Sequence, residues 1–167
     1  MSRAEALIAE ALRWYGTKEE GGDNRGPAVE TFQKAVDRTA SGEPWCMAFC
    51  QYALNASGGS DLFPSEHCLT VWEKSPPALR RGVPTSGCLA IWTMLGTTKG
   101  HAGIVVLVHR EMMVTIEGNT SPGPGIEREG DGVYLKARPI SKISGMMQLQ
   151  GFLWPWLSSV VSPATLR

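Results

Sequence analysis

Residues 45–55, WCMAFCQYALN, are apolar on nearly every side, and only Gln51 and Asn55 interrupt the run. The pattern predicts a helix from about Trp45 to Asn55 that stops at Gly58-Gly59. A helix with no polar face has to be covered all round, so the rest of the chain must be built about it as a core element. With 167 residues there is enough chain to do that within one domain and without disulfide staples.

Two more helices are expected ahead of this one. Ser2 with Glu5 forms a capping box, and Ala6, Leu7, Ala9, Ala11, Leu12 and Trp14 carry the first helix towards Gly16. Pro27 suits the first turn of a second, with Val29, Phe32 and Val36 along one stripe, broken by TASGEP. After residue 87 the period changes. GCLAIWTML, HAGIVVLVHR, MMVTIEG, GVYLKARPI and LQGFLWPW are short β-branched or aromatic runs between turns, which predicts an antiparallel sheet. Helices first and strands afterwards imply an α+β domain over residues 1–157, with a C-terminal tail at 158–167. Residues 64–86, around Pro64, Pro76-Pro77 and Pro84, read as an irregular connection.

Sixteen basic residues balance sixteen acidic ones, so no overall field draws the chain to nucleic acid or to an anionic membrane. Glu5 and Glu10 interrupt the N-terminal apolar positions, which makes a poor signal peptide, and no run of about 18 apolar residues exists to span a membrane. Synthesis in the cytoplasm is expected, with any action elsewhere following release or injection.

The four cysteines, at 46, 50, 68 and 88, do not resemble a disulfide scaffold. Cys50, inside the apolar helix, reads as a buried packing residue. Cys46 opens that helix, where unpaired N–H groups and the positive end of the dipole favour a thiolate and can hold an oxyanion. From this segment alone a nucleophile and a structural thiol stand level. A zinc site drawn from the cysteines and His67 fits less well, because paired ligands belong on turns and these are on a helix or scattered singly.

A thiol nucleophile needs a base and a group that orients the base. His67 lies in the proline-rich connection and His109 at a charged turn, where solvated roles are the ordinary expectation. His101, in KGHAGIVVLV, opens an apolar strand beside the small residues Ala102 and Gly103. Glu117 and Asn119, in VTIEGNTS, end the next strand two residues apart and so share a face. A simple hairpin about Arg110-Glu111 sets Asn119 opposite Ala102 and Glu117 opposite Ile104. On that register Asn119 is the closer partner of His101, with Glu117 slightly deeper. One of the two would hold imidazole Nδ1–H.

Cysteine at the start of a core helix, Gly-His opening a strand and Glu-x-Asn ending the next together resemble the CHAP domain. These are the cysteine- and histidine-dependent amidohydrolases/peptidases of the papain-like group. The upstream GGDNRGPAVETFQK…GEPWCMAF is similar to the Asn-Arg-Gly and Pro-Trp-Cys segments of some members, and PTSGCLAIW to the strand before the histidine. The likeness covers roughly residues 4–155. It departs from the family at Gly87-Cys88, where members often carry Gly-Asp, and it supplies no clear side chain for the oxyanion hole, Gln33 being remote.

What the resemblance implies is a papain-like fold and cleavage of an amide bond in peptidoglycan. Cys46 would be nucleophile, His101 base, and Glu117 or Asn119 its orienter. Asn24, Arg25, Trp45 and Trp92, with Trp72, are candidates to line the substrate groove, Arg25 by pairing a stem carboxylate. No cofactor or metal is expected; calcium, which some members bind through clustered aspartates, stays open, with only Asp23, Asn24 and Glu19-Glu20 to contribute. The expected partner is peptidoglycan, joined by an immunity protein if the chain is a secreted toxin, with no nucleic acid, no membrane and a monomeric state. A phage endolysin and an injected antibacterial toxin are the contexts that fit. A non-wall amide substrate and a non-catalytic module on the same fold are the competing readings.

Overall fold

The computed structural model describes residues 1–123 and 130–157. The expected tail at 158–167 lies outside them. Four helices come largely before an antiparallel sheet, an α+β arrangement.

Helix α1 (Arg3–Leu12) starts at Ser2, whose Oγ accepts from Glu5 N while Glu5 Oε2 accepts from Ser2 N at 2.7 Å. Leu7 and Ala11 are its buried residues. Helix α2 (Pro27–Asp37) begins at Gly26 with φ +119°, and a Cβ there would lie 2.9 Å from Glu20 N, so only glycine fits this turn. Helix α3 (Cys46–Ala56) buries eight of its residues and forms the centre of the core, as its composition requires. Phe32 of α2 sits among Trp14, Trp45, Phe49 and Tyr52 with ring centroids 5.0–5.7 Å away.

The connection at 64–86 is more ordered than expected. It holds α4 (Cys68–Lys74), a 3-10 turn (Pro77–Leu79) and β1 (Arg80–Arg81). Helix α4 has seven residues, too few for its Cys68/Val71 stripe to stand out as a period. Its cap is His67, whose Nδ1 accepts from Thr70 N, rather than one of the usual capping residues.

The remaining strands are β2 (Leu89–Met94), β3 (Gly100–His109), β4 (Met112–Thr120), β5 (Gly132–Pro139), β6 (Ile143–Ser144) and β7 (Met147–Leu153). They pair in the order β1-β7-β2-β3-β4-β5, with β6 beside β7. Leu89, Ile91, Ala102, Ile104 and Ile116 pack towards the helices. Ala90, Trp92, Val105, Met113 and Phe152 form a second core on the opposite face.

The β3–β4 hairpin departs from the simple register. Leu107↔Val114 and Val108↔Met113 follow it, but Ile104↔Ile116 and Val105↔Thr115 are shifted by one residue, with the irregularity at Val106. This bulge has a large consequence, because directly opposed residues share a face of the sheet. Unshifted, Glu117 would stand over Ile104 on the helix side, away from His101. The extra residue at 106 turns Glu117 to the face that carries His101, Gly103 and Trp92.

Candidate active site

Cys46, the first residue of α3, is 5% exposed. Its Sγ lies 3.8 Å from Cys68 Sγ at the start of α4. His101, second in β3, is fully buried, and its Nε2 lies 2.7 Å from Glu117 Oε2. Arg138 of β5 grips the same carboxylate with Nε at 2.8 Å and Nη2 at 2.5 Å, and Thr115 Oγ1 donates to it at 2.5 Å. Trp92 stands beside the imidazole, ring centroids 6.0 Å apart, and under the Arg138 guanidinium.

These contacts set the protonation states. Burial alone would raise the Glu117 carboxyl, but hydrogen bonds from Arg138 and the charge of His101 take it down to about 2. Burial would lower His101, yet Glu117 and then Cys46 raise it to about 9, so the ring is cationic at neutral pH. The Cys46 thiol is held well below the ordinary range, first by the hydrogen bond with Cys68 and then, against burial, by His101. Cys68 is pushed the other way by the same hydrogen bond and by burial. His101 Nδ1 makes no regular hydrogen bond among the described residues, and the thiol that shifts the ring's protonation is Cys46.

Several expectations need correcting. The imidazole atom held by the carboxylate is Nε2, not Nδ1, and the partner is Glu117, not Asn119. Asn119 has φ +52°, a left-handed backbone that interrupts strand alternation, and it lines a pocket with Glu19 and Asp23. Its side chain, 1% exposed, has no hydrogen-bond partner for Oδ1 or Nδ2 among the described residues. Trp45 is fully buried with Nε1 donating to Glu19 Oε1 at 2.8 Å, and Trp92 is 2% exposed, so neither lines a groove. Their rings are packing and support. Trp72 packs under Arg80 and beside Gly151. Arg25 is exposed and lies along Gly42, while Asn24 lines a pocket described below. Gln33 is a brace: its Nε2 donates to the carbonyl of Glu43 at 2.8 Å and steadies the loop into Cys46. Cys50 lies fully buried in α3 and Cys88 in the far core.

Cys46 and Cys68 open onto a cleft of about 340 Å³ walled by Glu43, Pro44, Glu66 and His67, with Lys99 and Gly100 at the strand end. A second, polar pocket of about 370 Å³ shares Pro44 with it and is lined by Glu19, Asp23, Asn24, Asn119 and Gly130. Sequence reasoning missed Cys68, Glu43, Glu66, Thr115 and Arg138. Only the Lys-x-Arg alternation of GVYLKARPI, placing two cations on one strand face, hinted at any of them.

Glu43 and Glu66 stand together in the cleft wall. Each has a buried Oε1 without a donor among the described residues, and burial followed by the charge of Glu43 raises Glu66 to about 8. A carboxyl raised on folding stabilises fully below its unfolded pKa, and that stabilisation is lost as pH climbs from about 4.5 through about 8. Glu66→Gln is therefore expected to match wild type near pH 5 and to melt a few degrees higher at pH 9. Equal melting temperatures at pH 9 would show that the two carboxyls do not repel.

Gly103 faces Glu117 so closely that a Cβ would lie 2.6 Å from Glu117 Cγ and 3.3 Å from Thr115 Cβ. Glu117 is pinned by Arg138 and cannot yield. Gly103→Ala is expected to displace the carboxylate and reduce turnover by about 100-fold, the scale of an ångström misplacement in a catalytic array. Unchanged turnover would mean that this packing does not set the array.

No family model, no curated protein and no solved structure matches the chain. The fold and site define an α+β domain that brings the Cys46 thiol together with the buried His101–Glu117 pair beside a cleft. Among the described residues no helix is long and apolar enough to cross a membrane, and no three His, Cys, Asp or Glu side chains converge as a metal cage would need.

Proposed function

We propose that the chain is a cysteine-dependent amide hydrolase of the CHAP type, with a papain-like arrangement, acting on bacterial peptidoglycan. The observation that carries this reading is the alignment of Cys46, at a helix start and in a cleft, with the buried His101–Glu117 pair.

The chemistry follows from the protonation states. The Cys46 thiolate attacks the amide carbon, and backbone N–H groups at the start of α3 receive the developing oxyanion. His101 Nδ1–H gives its proton to the leaving nitrogen as the C–N bond breaks, which leaves a thioester. Neutral His101 then takes a proton from water, whose oxygen attacks the thioester carbon. Collapse releases the carboxylic acid, and the thiolate and imidazolium are restored. Glu117 fixes the ring and its charge throughout, while Arg138 and Thr115 fix Glu117.

A stem peptide has room in the cleft at Cys46 and in the pocket that shares Pro44 with it. In that pocket Asn119 offers a donor and an acceptor unmatched among the described residues, and Glu19 and Asp23 offer negative charge. A phage endolysin and an injected toxin are both settings in which such a hydrolase reaches the wall.

The test is digestion of purified sacculi, with the fragments weighed by mass spectrometry. New amine and acid ends from wild type, and none from Cys46→Ala, are the expected result. The fragment masses distinguish an amidase from an endopeptidase. Intact sacculi with a rapidly alkylated Cys46 would discard the wall as substrate and retain the thiol chemistry for another amide.

A further inference from the structure

Cys68 has no step in amide hydrolysis, yet its sulfur lies 3.8 Å from the sulfur that does. Both thiols line the same open cleft, one at the start of α3 and the other at the start of α4. Cys50 is fully buried within α3 and Cys88 sits in the far core, so neither lines that cleft. All four thiols are free in this state. A disulfide needs its sulfurs about 2.05 Å apart, so closure requires side-chain rotation and a small approach of α4, a seven-residue helix between loops.

We infer that Cys46 and Cys68 are a redox pair, joined as a reversible disulfide when a hydroperoxide enters the cleft. The Cys46 sulfur attacks the terminal peroxide oxygen and the O–O bond breaks. Cys46 becomes a sulfenic acid, and the departing oxygen takes a proton to leave as water or an alcohol. The Cys68 sulfur then attacks the sulfenyl sulfur. An S–S bond forms, the S–O bond breaks, and the hydroxide takes the Cys68 proton and leaves as water. Two thiols lose two electrons and the peroxide gains them. A dithiol reverses the step by exchange, returning Cys46 as thiolate.

The pairing does two things for the site. It switches the nucleophile off in an oxidising setting, and it protects Cys46 from the irreversible sulfinic state by supplying a resolving thiol. The inference stands on the sulfur geometry and does not depend on which amide is cleaved.

The experiment exposes the full-length protein to a few equivalents of hydrogen peroxide and follows intact mass and peptide maps. Wild type is expected to lose about 2 Da, to yield a Cys46–Cys68 crosslinked peptide and to regain both thiols with dithiothreitol. Cys68→Ser, which keeps a hydroxyl donor beside Cys46 but no resolving thiol, is expected instead to gain about 32 Da at Cys46 and not to recover. Wild type that goes to the sulfinic acid, a bridge mapping to Cys50 or Cys88, or a Cys46 that resists peroxide would each overturn the inference. These readouts require no substrate, so failure of the hydrolase reading on sacculi leaves them intact.

Discussion

Glu117→Ala is expected to lower the unfolding free energy by about 3–5 kcal/mol, the cost of removing one partner from a buried ion pair. Glu117 is fully buried, and its oxygens receive Arg138 Nε and Nη2, Thr115 Oγ1 and His101 Nε2. Alanine takes from the Arg138 guanidinium and the His101 ring the buried carboxylate that both contact. Its loss also removes the main group that raises His101, so the ring turns neutral and stops supporting the thiolate. Glu117→Gln keeps the shape but not the charge, and should lose activity with less loss of stability. The pH dependence follows the same sign. A depressed carboxyl stabilises above its unfolded pKa, and that contribution is lost as pH falls from about 4.5 towards about 2. Urea denaturation of wild type and variant at pH 6 and pH 3 checks both statements. A cost below about 1 kcal/mol, the scale of a surface ion pair, would mean that the carboxylate is not held as described.

Cys46→Ala is expected to reduce amide hydrolysis by a factor of about 10⁴ or more, as loss of a nucleophile does in comparable arrays. Alanine removes one sulfur from a packed but small site, so the fold should survive with at most a modest loss of stability. Cys46→Ser keeps the position and loses the low-pKa anion, and should fall nearly as far. Activity is read as release of new amine ends from sacculi, and folding as an unchanged near-ultraviolet spectrum. A folded Cys46→Ala retaining a tenth of the activity would remove Cys46 from the chemistry.

The sequence carried much of this and missed some of it for identifiable reasons. The capping box at Ser2, Pro27 at the start of α2 and the all-apolar α3 were legible because each rests on local rules. The order of helices and strands followed from a change of period. The register did not follow. The bulge at Val106 lies in a run of five β-branched or aliphatic residues, Ile104 to Val108, with no glycine inside it to mark it, yet that one residue decides which face Glu117 occupies. Asn119 was misplaced for a related reason, since its left-handed backbone is invisible in a Glu-Gly-Asn-Thr string. Trp45 and Trp92 have the chemistry to line a groove, whereas burial makes them supports. Arg138, 21 residues beyond Glu117, and Cys68, 22 beyond Cys46, are long-range partners that no local pattern announces.

The central claim is that Cys46 exists as a thiolate at neutral pH, stabilised by Cys68 and His101. The rate of iodoacetamide alkylation at Cys46, followed by mass spectrometry from pH 4 to 10, tests it most directly. The account predicts a midpoint well below the ordinary cysteine value of about 8.5, with appreciable labelling persisting on the acid side of neutrality. A midpoint at or above that value, as burial without partners would give, would contradict it.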